Sequence, residues 1–121
     1  MAWLRKSSNG PVTIAYLLER RVALSWQEAV AIVFEIVEVF ERSGKRAVPR
    51  HENVALTPSG PVEFLRGRTQ SGDAVSALAR TLNRLLPSDQ PTRIRLLVST
   101  AWPDSASYKS PGEFVEALKY V

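Results

Sequence analysis

One long, capped and mainly apolar segment, from Ser25 to Gly44, most constrains the fold of this chain. The SWQE motif at 25–28 has the spacing of a capping box, in which a hydroxyl and a carboxylate satisfy free amides at a helix N-terminus. Gly44 suits the left-handed conformation that ends many helices. The apolar residues between them cover well over half of a helical circumference, so we predict a central helix over Trp26–Arg42 that is packed on several sides.

The remaining segments predict a mainly α fold with one small β-hairpin. Two short extended runs, about 53–57 and 62–65, flank the turn-rich PSGP sequence at 58–61, which is typical of a two-stranded hairpin. Caps and apolar periodicity predict four further helices, over 13–21, 74–86, 91–102 and 111–120. No repeat, low-complexity tract or linker interrupts the chain, so we expect residues 1–121 to form a single domain.

Composition excludes several kinds of site. The chain has 121 residues and no cysteine, which removes disulfides, thiol nucleophiles and thiolate metal ligands. Its one histidine, His51, cannot build a multi-histidine site, and we therefore expect no metal and no cofactor. The longest apolar stretch, 29–40, contains Glu35 and Glu38 and is too short for a bilayer. Without a secretory signal at the N-terminus, we expect no membrane partner and a cytoplasmic protein.

The charge of the chain permits an anionic partner without requiring one. Sixteen Lys and Arg against twelve Asp and Glu give a net charge of +4. The densest basic group is Arg42, Lys45, Arg46 and Arg50, and two interpretations of it stay open. It is either a solvated loop or a surface for phosphate or carboxylate, which the arginine fork fits well. Tryptophans are not interleaved with this group, as stacking on nucleic acid would favour.

Four strings follow one another along the chain: TIAYLLERRVALSWQEAVAIVFEIVEVFERSG, HENVALTPSGPVEF, the segment 73–86, and PDSASYKSPGEFVEALKYV. Their order resembles the C-terminal lobe of bacterial Ser/Thr protein kinases. The first string is similar to a helix pair of that lobe, and the second is similar to the hairpin after the catalytic loop. The segment 73–86 is similar to helix F of the family, and the last string is similar to the sequence motif at the end of the lobe. The resemblance runs from about residue 13 to residue 121 and implies a kinase C-lobe-like helical domain.

The departures from this family bear on function. Kinase chemistry uses an aspartate in the catalytic loop, a second one that holds magnesium after the hairpin, and a phosphate-binding loop with a lysine. Here the loop at 45–51 has no aspartate, and Leu65-Arg66-Gly67 stands where Asp-Phe-Gly would be. Asn53 matches the family's metal-site asparagine, but the N-terminal lobe has no counterpart. We expect neither catalysis nor ATP binding, and no catalytic residue is assigned.

The resemblance and its departures suggest a non-catalytic, pseudokinase-like interaction or regulatory module. Its partner would be another protein or a neighbouring domain, and the candidate partner-binding residues are Arg42, Lys45, Arg46, Arg50 and Arg66. An apolar patch on the outer face of the hairpin, flanked by Arg50 and Arg66, would mark the docking surface. The alternative is a small basic helical protein that contacts nucleic acid through residues 42–50 and 66–68. The sequence does not give the oligomeric state.

Two polar residues keep two interpretations each. Asp73 is either an ordinary helix N-cap or, as the resemblance implies, a structural anchor that accepts backbone N–H groups from the basic loop. His51 next to Glu52 could be drawn as an acid–base pair, but no nucleophile is tied to it by a motif. We favour a partly exposed loop histidine.

Overall fold

The computed structural model describes residues 12–57, 62–101, 108 and 110–120, and these form a mainly helical fold with a small antiparallel sheet. The elements in chain order are β1 (Val12–Thr13), α1 (Ile14–Glu19), α2 (Trp26–Ser43), β2 (Val54–Leu56), β3 (Glu63–Phe64), α3 (Ala74–Leu85), α4 (Thr92–Ala101) and α5 (Pro111–Leu118). A one-turn 3-10 helix, His51–Asn53, leads into β2.

The predicted central helix is confirmed as α2. The Ser25 hydroxyl accepts a hydrogen bond from the Glu28 amide at 3.1 Å, and the Glu28 carboxylate accepts one from the Ser25 amide at 3.0 Å. Gly44 ends the helix in the left-handed region, with a φ of 70°. Seven side chains of α2 are buried: Ala29, Val30, Ile32, Val33, Ile36, Val37 and Phe40. Burial of this kind on a broad helical surface makes α2 the scaffold of the core.

The sheet differs from the predicted two-stranded hairpin. β2 pairs with β3 as expected, in the register Val54 opposite Phe64, but β1 also pairs with β2, with Val12 opposite Leu56. All three residues of β2 are buried, so both of its backbone edges need hydrogen-bond partners, and β1 supplies the second edge. The predicted turn at 58–61 lies outside the described residues.

The start of α1 was also predicted too early. Thr13 belongs to β1, and its hydroxyl caps α1 by accepting a hydrogen bond from the Tyr16 amide at 3.1 Å. An N-cap residue and a strand residue both have extended backbone angles. Thr13, with φ −96° and ψ 165°, can therefore belong to β1 and cap α1 at the same time.

The three C-terminal helices pack together, and α3 and α5 also contact α2. Asp73 is the N-cap of α3, since its Oδ1 accepts from the Ser76 amide at 2.9 Å. The fully buried side chains of this part include Leu78, Leu82, Ile94 and Phe114. The helices end slightly earlier than predicted, α3 at Leu85 and α5 at Leu118, whereas position 102, the predicted end of α4, lies outside the described residues. Within the described ranges, no helix is long and apolar enough to cross a membrane.

Candidate functional site

Two loops lie side by side and form one wall of the candidate site. An isolated β-bridge joins Pro49 to Thr69. The Arg50 amide donates to the Arg68 carbonyl at 3.1 Å, and the Gln70 amide donates to the Val48 carbonyl at 2.7 Å. These backbone bonds fix the end of the basic loop against the segment that follows the hairpin, and they set the position from which Arg50 projects.

Asn53 holds the same junction together. Its side-chain Nδ2 donates to the Arg68 carbonyl at 3.1 Å, and its backbone carbonyl accepts from the Leu65 amide at 2.8 Å. Gly67 is required beside it, because a Cβ atom at position 67 would overlap the Asn53 amide group. Asn53 therefore has a structural role in closing the loop.

The candidate site is an open cleft of about 640 Å³. Its walls come from α1, the 3-10 helix, residues 69–71 and α3. Three arginines line it: Arg50 beside the 3-10 helix, and Arg80 and Arg84 on α3. Arg80 and Arg84 are four residues apart, so they project from the same face of the helix. The fold thus assembles cations from two distant parts of the sequence.

The arginines differ in how their charge is balanced. Arg50 Nε lies 3.4 Å from a carboxylate oxygen of Glu52. Arg80 donates through Nη2 to the Ser71 carbonyl at 2.6 Å, while its buried Nε has no hydrogen-bond partner among the described residues. The ion pairs formed between described residues are Arg50–Glu52 and Lys119–Glu116, so neither Arg80 nor Arg84 has a carboxylate partner in that part of the chain, although Glu19 also lines the cleft.

A polar network supports the floor of the cleft. His51 Nε2 lies 3.0 Å from the Thr81 hydroxyl, which also accepts from Gln70 Nε2 at 3.1 Å and donates to the Ala77 carbonyl at 3.0 Å. Gln70 Nε2 also donates to the Pro49 carbonyl at 3.2 Å. When the only hydroxyl proton of Thr81 is directed to Ala77, His51 carries its own proton on Nε2. The network connects the loop wall to α3.

The pKa of His51 lies below its ordinary value of 6.5. Burial is the largest cause, because it disfavours the imidazolium, and the positive charge of Arg84 is the next. Glu52 opposes the shift, whereas Arg80 and Arg50 add to it. His51 is half-buried and bonded to Thr81, so it is a supporting group in the wall rather than a free acid–base residue.

The structure separates the predicted partner-binding residues. Arg50 lines the cleft, whereas Arg42, Lys45, Arg46 and Arg66 are exposed and none of them lines it.

The described part of the hairpin has no apolar outer face, so the surface considered for docking there is not formed. Val54, Leu56 and Val62 are buried, and Phe64 packs against the core. These side chains are part of the hydrophobic core or pack against it.

Asp73 acts as a helix cap in the structure. Both of its carboxylate oxygens accept from Ser76, Oδ1 from the amide and Oδ2 from the hydroxyl, the latter at 3.2 Å. The role that the kinase resemblance implies, a contact with backbone amides of the basic loop, stays a prediction.

Sequence analysis missed Arg80 and Arg84. Helical spacing places both on one side of α3, next to the buried Thr81, and this polar cluster beside an apolar face was the available indication. Their proximity to Arg50 depends on tertiary packing, which no local pattern shows.

The cleft presents three arginine side chains, whose N–H groups are hydrogen-bond donors. In the part of the chain that the structure describes, no group of three or more His, Cys, Asp or Glu side chains is placed to hold a metal ion. Comparisons with protein-family models, with curated proteins and with solved structures found no significant match. The functional assignment of this chain therefore depends on the three arginines that line the cleft.

Proposed function

We propose that this chain is a non-catalytic, kinase-like interaction or regulatory module that binds another protein through the arginine-lined cleft. The cleft itself is the observation that carries the proposal. It is an open concavity with three arginines, of which two have no carboxylate counter-ion among the described residues. Arginine is well suited to anchor an acidic group of a protein partner, because its planar fork forms paired hydrogen bonds.

The absence of catalysis is part of the proposal, and two features of the loops support it. The positions that the resemblance equates with the catalytic and metal-binding aspartates carry no acid. Asn53 uses its side-chain amide to close the loop against Arg68. A single amide engaged in this way does not supply the oxygen-rich, charged environment that magnesium and triphosphate need. A cytoplasmic location belongs to the same proposal.

Contact with nucleic acid is less well supported by the cleft. Among the described residues no tryptophan, tyrosine or phenylalanine lines it, and the one imidazole in its wall, that of His51, is engaged with Thr81, so the cleft offers a poor platform for base stacking. The exposed Arg42, Lys45 and Arg46 also stand outside it. A protein partner is the better match for a small concavity with a few directed donors.

The experiment is affinity purification of the tagged chain from its native host, with quantitative mass spectrometry. We expect a specific protein to be retained after nuclease treatment and after salt is raised from about 50 mM to about 200 mM. Nucleic-acid binding made of many phosphate contacts would fall by orders of magnitude over that range. Recovery that depends on nucleic acid would contradict the proposal and favour the alternative.

A pair of charge reversals locates the binding surface. Arg50→Glu changes a cation of the cleft, and Arg66→Glu makes the same change at an exposed position outside it. We expect the first variant to lose the partner and the second to retain it, with unchanged helicity in both. If only Arg66→Glu loses the partner, the binding surface lies on the loop that contains Arg66. If both variants retain the partner, the cleft is excluded as the binding surface.

A further inference from the structure

A second concavity adjoins the arginine-lined cleft, and most of the residues that line it are aliphatic. This apolar groove, of about 380 Å³, lies between the segment after α1 and the C-terminal end of α3. Its walls include Leu17, Val22, Leu85 and Pro87. Leu18 and Arg84 line both the groove and the cleft, so the two concavities meet at Arg84.

Arg80 and Arg84 on α3 carry charge that no described carboxylate balances, and the exposed Arg21 lines the groove as well. Arg50 is paired with Glu52, whereas Arg80 and Arg84 have no carboxylate partner among the described residues. Two like charges four residues apart on one helix face repel each other and are mildly destabilising. Arg80 is nevertheless held in place, because its Nη2 donates to the Ser71 carbonyl at 2.6 Å. Two guanidinium groups on one helix face, one of them held in place and neither paired with a described carboxylate, complement a dianion better than a single carboxylate.

We propose that the cleft and the apolar groove together bind a peptide segment of the partner that carries a phosphoserine or phosphothreonine near an aliphatic residue. The phosphoryl group, with a charge of roughly −1.5 to −2 at neutral pH, balances Arg80 and Arg84. The aliphatic side chain enters the groove on the other side of Arg84. This inference rests on the proposed function and specifies the chemistry of the partner.

The first test uses small capped probes and the full chain, followed by nuclear magnetic resonance. N-acetyl-phosphoserine methylamide should shift the amides of 69–71 and 80–84. The same compound with serine, the same compound with glutamate, and inorganic phosphate should each bind at least about tenfold more weakly, since each lacks either the second charge or the peptide contacts.

Arginine variants identify the site. Arg80→Gln and Arg84→Gln should each weaken the phosphoserine probe by about tenfold or more, the factor expected for a charged hydrogen bond. Arg93→Gln on α4 is the matched control, because Arg93 is exposed and lines neither concavity, and it should leave binding unchanged. Arg84 is exposed and forms no hydrogen bond with a described residue, so its variant should keep the fold even if Arg80→Gln disturbs the contact with Ser71.

The groove is tested with a series of capped phosphoserine peptides, each of which carries one leucine at a different position before or after the phosphoserine. One position should improve affinity by about threefold or more over alanine, the effect of burying roughly one methylene group. Ala23→Gln, an uncharged change at an exposed position of the groove, should reduce this gain more than it changes the affinity for phosphoserine alone.

Several outcomes would overturn the inference. The phosphoserine probe could fail to bind, or the glutamate probe or free phosphate could bind with the same affinity as the phosphoserine probe. Arg93→Gln could weaken binding as much as the two cleft variants do, or no leucine position could improve it. A single-stranded oligonucleotide could also bind more tightly than the phosphoserine probe, in a way that depends on Arg84. If such a result occurs while partner capture still depends on Arg50, this inference alone is wrong. Failure of the capture itself would instead contradict the proposed function.

Discussion

At the scale of single residues, His51 connects the charge of the cleft to the stability of the fold. Its pKa is lowered below 6.5, first by burial and then by Arg84. The unfolded chain therefore binds the proton more tightly than the folded chain does. It follows that the His51 contribution to stability is fully present above pH 6.5 and is lost as the pH falls through the folded-state pKa.

We expect the free energy of unfolding to fall between about pH 7 and pH 5.5, as measured by urea denaturation, and His51→Gln to flatten this part of the profile. The pKa of Glu35 is raised, by burial and then by Glu38, so its titration acts in the opposite direction. The comparison is therefore best made with Glu35→Gln in both chains. Proton resonances of the His51 ring give its pKa directly, and a value at or above 6.5 would contradict the assignment.

Asp73 gives a second prediction at this scale. Asp73→Ala removes the acceptor for the Ser76 amide and should lower the free energy of unfolding by about 0.5–2 kcal/mol, as loss of an N-cap does. Asp73→Asn is the control, because asparagine caps helices nearly as well. Thermal and urea denaturation measure both. A large loss in the asparagine variant would show that the carboxylate has a role beyond the cap, as the kinase resemblance implies.

At the scale of the elements, α2 decides whether the chain folds. Val37 is 3% exposed and belongs to the hydrophobic core, so a charge introduced there would be buried. We expect Val37→Asp to cost several kcal/mol, enough to unfold a domain whose total stability is about 5–15 kcal/mol. Val37→Ala should cost on the order of 2 kcal/mol, and Glu38→Ala, at an exposed position, close to nothing.

Circular dichroism during heating distinguishes these variants. Phe34→Asp is a graded case, because Phe34 is only partly buried, and it should lower the melting temperature less than Val37→Asp. If Val37→Asp melts like the unchanged chain, α2 is not the centre of the core.

The elements also show how far sequence reasoning reaches. The first residues of α2 and α3 follow from local caps, because Ser25 and Asp73 bind amides three residues away. β1 has two residues and no alternating pattern, so its identity as a strand depends on pairing with the distant β2. The cleft was missed for the same reason, since Arg50 and Arg84 come together only when α3 packs beside the loops. The kinase resemblance itself stays a prediction.

At the scale of the whole molecule, the proposed lack of nucleotide binding can be measured directly. We expect magnesium and ATP to leave the melting temperature unchanged. ATP bound with a dissociation constant of about 10 μM and supplied at about 1 mM would stabilise the fold by about 2.7 kcal/mol, a shift of several degrees. Such a shift in the presence of magnesium, with none from magnesium alone, would contradict the non-catalytic proposal.

The position of β2 between β1 and β3 has a consequence for the order of folding. β3 follows β2 closely along the chain, whereas β1 reaches β2 only across α1 and the whole of α2. Closing so long a loop costs entropy that is recovered only after α2 has docked on its neighbours. The β1–β2 ladder is then among the last contacts to form and among the first to open. The backbone amides of the β1–β2 ladder would therefore exchange with solvent earlier than the amides of the helices.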